Sequence, residues 1–254
     1  MKPYFKSDTG LGTLYHGDCL EIMPYSPDKA FDMVLCDLPY GTTACKWDTI
    51  IPFEPLWEQY KRLIKDNRAI VLTASQPFTS ALVMSNIKMF KYEFIWDKVR
   101  PSGFQIVKYT PMKRHENILV FAIKTPFWNK QMCERKKPIK GRVCSMSDSS
   151  PLKHNDGKTR TYTHRNPQSI LLYNKSSDGK YLHPTQKPVA LFEYLIKTYT
   201  NKGDIVLDNC AGSGTTGVAC ENLNRKYVLI EQDEKYCEIA SERIRIETNQ
   251  RKLF

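Results

Sequence analysis

A four-residue segment at the end of an apolar, strand-like run could polarise the amine of a nucleobase. The segment is Asp37-Leu38-Pro39-Tyr40, and the run before it is Phe31–Cys36. An exocyclic amine is a poor nucleophile because its lone pair is delocalised into the ring. The Asp37 carboxylate and the Leu38 backbone carbonyl could draw that nitrogen toward a more nucleophilic, tetrahedral geometry. Pro39 fixes the turn, and the Tyr40 ring could stack on an extruded base. Taken alone, the segment could also be a strand-to-turn corner with a helix-capping aspartate.

A glycine-rich turn, Asp208–Thr216, lies far away in the sequence between a short apolar run and a helical stretch. Gly212 and Gly214 allow the backbone to approach a ligand closely, and a helix N-terminus favours a carboxylate or phosphate. The turn lacks the Gly-Lys-Ser/Thr of a P-loop. The next strand-like run, Tyr227–Ile230, ends at Glu231, which is placed to bind ribose hydroxyls. The combination is similar to an S-adenosylmethionine site.

These two motifs and three further segments resemble the permuted, β-class DNA amino-methyltransferases, in which the catalytic half precedes the cofactor-binding half. The further segments are Gly17–Leu20, Phe94–Lys98 and His183–Pro188, which are similar to the family's GDCL, apolar-Trp-x-Lys and HPTQKP motifs. The likeness covers roughly residues 13–123 and 181–245. It implies a Rossmann-like α/β methyltransferase fold with S-adenosylmethionine as the cofactor.

The resemblance assigns a role to individual residues. The catalytic residues would be Asp37, Leu38, Pro39 and Tyr40. The cofactor-binding residues would be Asp18, Cys19, Thr185, Lys187, Asp208, Ala211, Gly212, Ser213, Gly214, Thr215, Thr216 and Glu231. Two positions depart from the family pattern. Leu38 replaces the usual first proline, and Asn209-Cys210-Ala211 replaces the usual Pro-Phe-x. The carbonyl acceptor at position 38 does not depend on its side chain.

Hydrophobic spacing indicates a mostly parallel sheet covered by helices on both faces, which is the α/β class. Strands are predicted at 13–16, 31–36, 69–73, 92–96, 118–123, 205–207 and 227–230. Helices are predicted at 19–25, 54–64, 78–86, 188–200, 216–223 and 235–247, and a loop beside the site at 41–47. The strands at 92–96 and 118–123 are expected to pair antiparallel at a sheet edge.

Four acidic residues fall at the ends of predicted strands, namely Asp18, Asp37, Asp208 and Glu231. Ligands bind at the carboxyl ends of the strands in sheets of this kind. The four side chains are therefore expected in one shared site.

Composition agrees with one α/β domain that carries an insertion. The chain has 254 residues, 41% of them hydrophobic, and a formal net charge of +11. Its eight cysteines include no Cys-x-x-Cys spacing, which favours buried thiols in a reducing cytoplasm over disulfides or a metal site. Neither a membrane-spanning apolar run nor a signal-peptide pattern is present.

The positive charge is concentrated in one segment. Residues 121–180 contain 13 Lys/Arg against four Asp/Glu, with little apolar periodicity. We expect a catalytic half at 1–123, a basic target-recognition insertion at 124–180 and a cofactor-binding half at 181–254. The candidate contacts to nucleic acid are Lys98, Lys136, Lys137, Lys140, Arg142, Lys158, Arg160 and Arg165. A solvated or partly disordered insertion is the alternative reading of the same charge.

The leading functional hypothesis is transfer of a methyl group to the N6 amine of adenine in duplex DNA, after base flipping and by direct in-line attack. A cytosine-N4 methyltransferase and an inactive cofactor-binding or nucleic-acid-binding relative remain alternatives, as does an RNA substrate. Cytosine C5 methylation is disfavoured because no Pro-Cys nucleophile stands at a strand end. Double-stranded DNA is the expected partner, and the resemblance allows a homodimer and a cognate restriction enzyme.

Overall fold

A computed structural model divides the chain into two compact units, one formed by Met1–Asn129 with Ser169–Phe254 and the other by Lys130–Gln168. The residues that the structure describes are 1–42, 48–142, 159–174 and 186–251. Most of the loop expected at 41–47 and the start of the HPTQKP segment therefore lie outside the described residues.

The elements of the described chain alternate between strands and helices. The strands are β1 Phe5–Lys6, β2 Gly12–His16, β3 Phe31–Asp37, β4 Ile64–Ala74, β5 Phe90–Ser102, β6 Lys113–Phe121, β7 Cys133–Arg142, β8 Thr159–Arg165, β9 Ile170–Leu172, β10 Ile205–Asp208 and β11 Lys226–Glu231. The helices are α1 Cys19–Ile22, α2 Phe53–Leu63, α3 Phe78–Ser85, α4 Val189–Tyr199, α5 Thr215–Leu223 and α6 Glu234–Arg251, with 3₁₀ turns at Met23–Tyr25 and Phe104–Ile106.

The first unit is built on one nine-stranded sheet in the order β1-β2-β11-β10-β3-β4-β6-β5-β9. Strands β2, β11, β10, β3 and β4 run parallel, whereas β6 is antiparallel to both of its neighbours. The carboxyl ends of the parallel strands therefore meet at one edge, where α/β sheets bind ligands. The predicted α/β fold with a mostly parallel sheet is confirmed.

The sheet separates two hydrophobic cores. In β3, Met33 and Leu35 belong to the core that packs against α4, α5 and α6. The alternate residues Val34 and Cys36 belong to the core with α1, α2 and α3. Successive side chains of a strand point to opposite faces, so a strand buried on both faces reads as the continuous apolar run seen here.

Helix α2 links one of these cores to the cofactor half of the site. Trp57 and Tyr60 are buried on its inner face, one turn apart. The Tyr60 hydroxyl donates to Asn209 Oδ1 at 2.7 Å, and Asn209 follows β10 directly. Packing of α2 thus positions the segment that leads into the glycine-rich turn.

Two short strands of the nine-stranded sheet, β1 and β9, were not predicted, and β9 corrects the expected sheet edge. Strands β5 and β6 pair antiparallel as expected, but β9 adds outside β5 in parallel, with Ile95 opposite Ile170. The Ile95 amide also donates to the Ser169 carbonyl at 2.8 Å. Strand β9 has three residues and β1 has two, too few for a period-two pattern to identify.

The second unit is a two-stranded antiparallel hairpin of β7 and β8. Pairing runs from Cys133 opposite Arg165 to Arg142 opposite Thr159, with a register shift between Glu134 and Ile139. Every described residue of β8 is exposed. The weak apolar periodicity of this segment therefore reflects a ribbon without a core of its own.

No helix within the described residues is long and apolar enough to cross a membrane.

Candidate active site

The predicted site residues converge on one cavity of about 610 Å³ in the first unit, at the carboxyl edge of the parallel strands. The four acidic residues expected to share a site, Asp18, Asp37, Asp208 and Glu231, all line it. The other predicted residues on its wall are Cys19, Leu38, Pro39, Tyr40, Lys187, Ala211, Gly212, Ser213 and Thr215. Gly214 and Thr216 are not among the residues that line it, and Thr185 is outside the described residues.

The Asp37 carboxylate is held on both oxygens. Its Oδ1 accepts a hydrogen bond from the Tyr40 hydroxyl at 2.8 Å and another from the Thr73 hydroxyl. Its Oδ2 lies 2.5 Å from the ammonium of Lys187. Hydrogen bonds on both oxygens fix the orientation of the carboxylate, as an acceptor for a substrate amine requires.

Lys187 stands between two carboxylates. Its ammonium lies 3.6 Å from Glu116 Oε2, and Lys98 Nζ lies 3.3 Å from Glu116 Oε1. Burial acts to lower the pKa of Lys187, but Asp37 and Glu116 together raise it above its ordinary value. Lys187 therefore stays charged at the catalytic end of the cavity, a contact that the expected cofactor role did not include.

The structure contradicts the expected contact of Lys98 with nucleic acid. Its side chain is 7% exposed and is paired with Glu116. Desolvating an ammonium is costly unless a carboxylate compensates, so Lys98 is a structural neighbour of the site. An isolated lysine in a strand gave no indication of this inward direction.

Tyr40 combines a packed ring with a hydroxyl donor. The ring stacks on Phe78 with centroids 5.3 Å apart at 27°, and the ammonium of Lys187 lies 5.7 Å from its centroid. Burial raises the pKa of Tyr40 well above its ordinary value, and Asp37 adds to the effect. The phenol is therefore a permanent donor to the carboxylate, and stacking of its ring on a base stays a prediction.

The glycine-rich turn is tied to the end of β11. The Gly212 amide donates to Glu231 Oε2 at 2.6 Å, and the Asp233 amide donates to Oε1 at 2.9 Å. Gly212 and Gly214 have φ values of +50° and +78°. Residues other than glycine rarely adopt this left-handed backbone conformation. The turn requires it at both positions because α5 starts shortly after β10 ends.

Asp18 and Cys19 line the cavity next to the end of β11. Asp18 caps α1 by accepting from the Leu20 amide at 2.7 Å, and its side chain is exposed to the cavity mouth. The Gly17 amide donates to the backbone carbonyl of Glu231 at 2.9 Å. Cys19 is buried, and its sulfur accepts from Asn209 Nδ2 at 3.5 Å.

Asp208 is the most strongly perturbed carboxyl group of the site. It accepts from the Cys210 amide at 3.1 Å and from the Thr216 hydroxyl. Burial nevertheless raises the pKa of Asp208 from its ordinary 3.8 to about 7. The folded protein therefore binds a proton at Asp208 more tightly than the unfolded chain does.

We expect Asp208→Asn to flatten the pH dependence of stability between pH 4 and pH 7. The stabilisation that comes from a raised carboxyl pKa is complete below about 3.8 and is lost as the pH rises through about 7. The wild type should lose a few kcal/mol over that window relative to the variant, at about 1.4 kcal/mol per pKa unit. Urea unfolding of both proteins at pH 5 and pH 7.5 measures the difference. Parallel pH curves would contradict the assigned titration.

The expected nucleic-acid contacts of the insertion fall on the second unit. Lys136, Lys137 and Lys140 are exposed on β7, and Arg160 and Arg165 are exposed on β8. Arg142 is the last residue of β7, with its side chain not described, and Lys158 lies outside the described residues.

Among the residues that contact or line the site, sequence reasoning missed Thr73, Trp96 and Glu116. Thr73 ends the neighbouring strand β4, and Trp96 and Glu116 line the cavity from β5 and β6. Glu116 carries the only local signal, since an acidic side chain stands directly before a buried strand segment. Glu116 pairs with Lys98 and Lys187, which lie on other segments of the chain. No local sequence pattern could therefore predict these contacts.

Comparison with known proteins gives a consistent result. A family model described as DNA methylase matches residues 31–242. The chain is 28% identical to the Type II methyltransferase M2.MboI of Moraxella bovis over 96% of this chain and 91% of that protein. It is also 28% identical to the DNA adenine methyltransferase YhdJ of Escherichia coli K12, over 91% of this chain and 82% of that protein.

A solved structure extends the likeness to three dimensions. The crystal structure of the M1.HpyAVI-SAM complex aligns with a TM-score of 0.61 and 26% sequence identity. The alignment covers 92% of this chain and 98% of that one. The two proteins therefore share one fold over most of both chains.

Proposed function

Because this chain belongs to the DNA methylase family, we propose that it methylates the N6 amine of adenine at specific sites in duplex DNA. Family membership makes it a DNA methyltransferase, and S-adenosylmethionine is its cofactor. The proposal adds the target base and the residues that act on it. One observation carries it: the Asp37 carboxylate is bonded on both oxygens within the cavity that the glycine-rich turn also lines.

The residues present fit this cofactor. A glycine-rich turn with positive φ values leaves backbone space for a ligand at the start of α5. Glu231 ends β11 beside that turn, where an acidic group can accept from ribose hydroxyls. Asp18 lines the same cavity and can accept a hydrogen bond from an adenine amine. When bound, the cofactor supplies an electrophilic methyl group on a sulfonium centre.

We assign the polarisation of the target amine to Asp37 and the Leu38 carbonyl. Asp37 accepts one N–H of the flipped base while Leu38 accepts the other, and the nitrogen lone pair is left free to attack. Lys187 holds the Asp37 carboxylate in its orientation through an ion pair. After transfer, the methylated amine carries one proton too many, and the Asp37 carboxylate is the nearest base to accept it. Positioning in a water-poor cavity supplies the remaining acceleration.

Adenine is favoured over cytosine for two reasons. An aspartate at the first motif position is more frequent in the adenine enzymes that this chain resembles, and YhdJ, a relative at 28% identity, is named a DNA adenine methyltransferase. The similarity to Type II methyltransferases also supports a place in a restriction–modification system with a cognate restriction enzyme. Exposed lysines and arginines of the β7–β8 hairpin would contact duplex phosphates.

The proposal predicts N6-methyladenine in unmethylated DNA that has been incubated with the protein and S-adenosylmethionine. Mass spectrometry of the released nucleosides measures it. N4-methylcytosine instead would keep the catalytic assignment and change the target base. The absence of either product from duplex DNA, together with methylated adenosine in RNA, would contradict the proposed substrate.

A further inference from the structure

The loop that joins β5 to β6 exposes an unusual amount of apolar surface. This apolar loop consists of residues 103–112. Its large side chains are mostly in solvent, with exposed fractions of 74% for Phe104, 54% for Ile106, 52% for Val107 and 79% for Tyr109. Exposed apolar residues are common singly, but a contiguous group of them marks an interaction surface.

The apolar loop leaves the sheet beside the active-site cavity. Trp96 of β5 and Glu116 of β6 are opposite each other in the sheet, and both line the cavity. The two strands continue from this pair toward the carboxyl edge of the sheet and end in the loop. The loop therefore projects from the same edge of the sheet at which the cavity lies.

The apolar loop is ordered by its own hydrogen bonds. A 3₁₀ turn at Phe104–Ile106 follows Gly103, whose φ is +92°. The Tyr109 and Thr110 amides both donate to the Ile106 carbonyl, at 2.9 and 3.1 Å. The apolar side chains are thus presented by a preformed turn, which reduces the entropy lost when they bind a partner.

The strand ends next to the apolar loop are held by side-chain contacts, and one residue there has a strained backbone conformation. Arg114 makes a bidentate pair with Asp97 at 2.7 and 2.8 Å, and Lys113 donates to the Ser75 hydroxyl at the end of β4. Val99, a β-branched residue, has a φ of +67°. Such a conformation persists only where the surrounding structure enforces it, and it is concentrated at functional sites.

The positive charge of the apolar loop and its flanking residues favours a nucleic acid as the partner. Residues 98–115 contain five Lys/Arg and no Asp/Glu. The exposed cations Arg100 and Lys108 flank the apolar side chains, and Lys108 lies 5.8 Å from the Tyr109 ring. A DNA duplex has an apolar stack of bases between two anionic phosphate backbones. Apolar side chains flanked by cations match this arrangement, because the apolar groups can contact the bases and the cations the phosphates.

We propose that the apolar loop is a wedge that enters the DNA duplex and fills the space left by the flipped base. Phe104 and Tyr109 stack on the neighbouring base pairs, and Arg100 and Lys108 contact the flanking phosphates. This inference rests on the proposed function, because a wedge is needed only if the target base leaves the helix. The loop then offsets part of the cost of unstacking.

The test compares two duplexes that contain the sequence the wild-type protein methylates. In one the target base is paired, and in the other it stands opposite an abasic site, which makes extrusion cheap. The double variant Phe104→Ser/Tyr109→Ser removes the wedge. Met84→Ala is the matched control, since Met84 is 71% exposed and lies on α3 near the other end of β5.

We expect the double variant to transfer methyl groups about 10- to 100-fold more slowly than wild type on the paired duplex under single-turnover conditions. On the abasic duplex it should stay within about threefold of wild type, since extrusion there is cheap. Met84→Ala should match wild type on both.

Equal rates for all proteins, or an equal loss on both duplexes, would overturn the proposal. So would conversion of a wild-type dimer to a monomer in sedimentation, which would make the loop a self-association surface. If the wild type methylates no adenine in duplex DNA, so that no such sequence can be found, the proposed function itself is rejected.

Discussion

Replacement of Asp37 by alanine should reduce methyl transfer by about 10³-fold or more while leaving the affinity for S-adenosylmethionine within a few-fold of wild type. Asp37 accepts hydrogen bonds on both oxygens and lies where the target amine would be polarised. Its removal takes away the interaction that strengthens as the amine becomes tetrahedral, and losses of this kind appear in kcat. Radiolabelled methyl transfer and titration calorimetry measure the two quantities.

The Asp37→Ala variant also leaves Lys187 with Glu116 as its carboxylate partner. The free energy of unfolding should therefore fall by about 1–3 kcal/mol, and circular dichroism must show that the variant is folded. Asp66→Ala is the matched control, because Asp66 pairs with two lysines at 2.7 and 3.1 Å but does not line the cavity. Loss of cofactor affinity in Asp37→Ala, with transfer retained, would reverse the assigned roles.

The second large effect is expected from Gly214→Ala at the start of α5. A Cβ at this position would lie 2.8 Å from the Cβ and 3.0 Å from the Cα of Ala240, and the residue has a φ of +78°. The turn and α6 cannot both keep their positions, so the backbone that faces the cofactor must move. A displacement of about 1 Å is enough to cost about 100-fold in a positioned site, and we expect a loss of cofactor affinity of that order.

Gly10→Ala separates this clash from the cost of the backbone conformation. Gly10 has a φ of +72°, close to that of Gly214, but an added Cβ there meets nothing within 4 Å. It should cost about 1–2 kcal/mol of stability and leave cofactor affinity unchanged. If both variants bind S-adenosylmethionine as wild type does, the turn does not approach the cofactor closely. If Gly10→Ala and Gly214→Ala lower the free energy of unfolding equally, the positive φ accounts for the loss and the contact with Ala240 does not.

The part of this molecule that the sequence predicts well is the part governed by local pattern. Helix α4 was expected at 188–200 and spans Val189–Tyr199, because apolar spacing and the proline before it both act within a few residues. The convergence of Asp37 and Glu231 also followed, since parallel strands bring their carboxyl ends together whatever their separation along the chain.

What could not be predicted depends on contacts between distant segments. The pairing of Lys187 with Asp37 and Glu116 joins three elements, and no local pattern encodes it. The inward direction of Lys98 depends on the same contact. Strand β9 forms because β5 presents a free edge, which its own three residues do not reveal.

The strand order determines when the active site can form during synthesis on the ribosome. Strands β2 and β3 follow one another in the chain, yet β11 and β10 lie between them in the sheet. The two carboxylates that these early strands supply, Asp18 and Asp37, therefore cannot face one cavity until residue 231 has been synthesised and both late strands have been inserted. A nascent chain that stops earlier has the catalytic tetrapeptide but no place for a methyl donor. Methylation thus begins only after both late strands have joined the sheet, and non-local pairing of this kind makes that step slow.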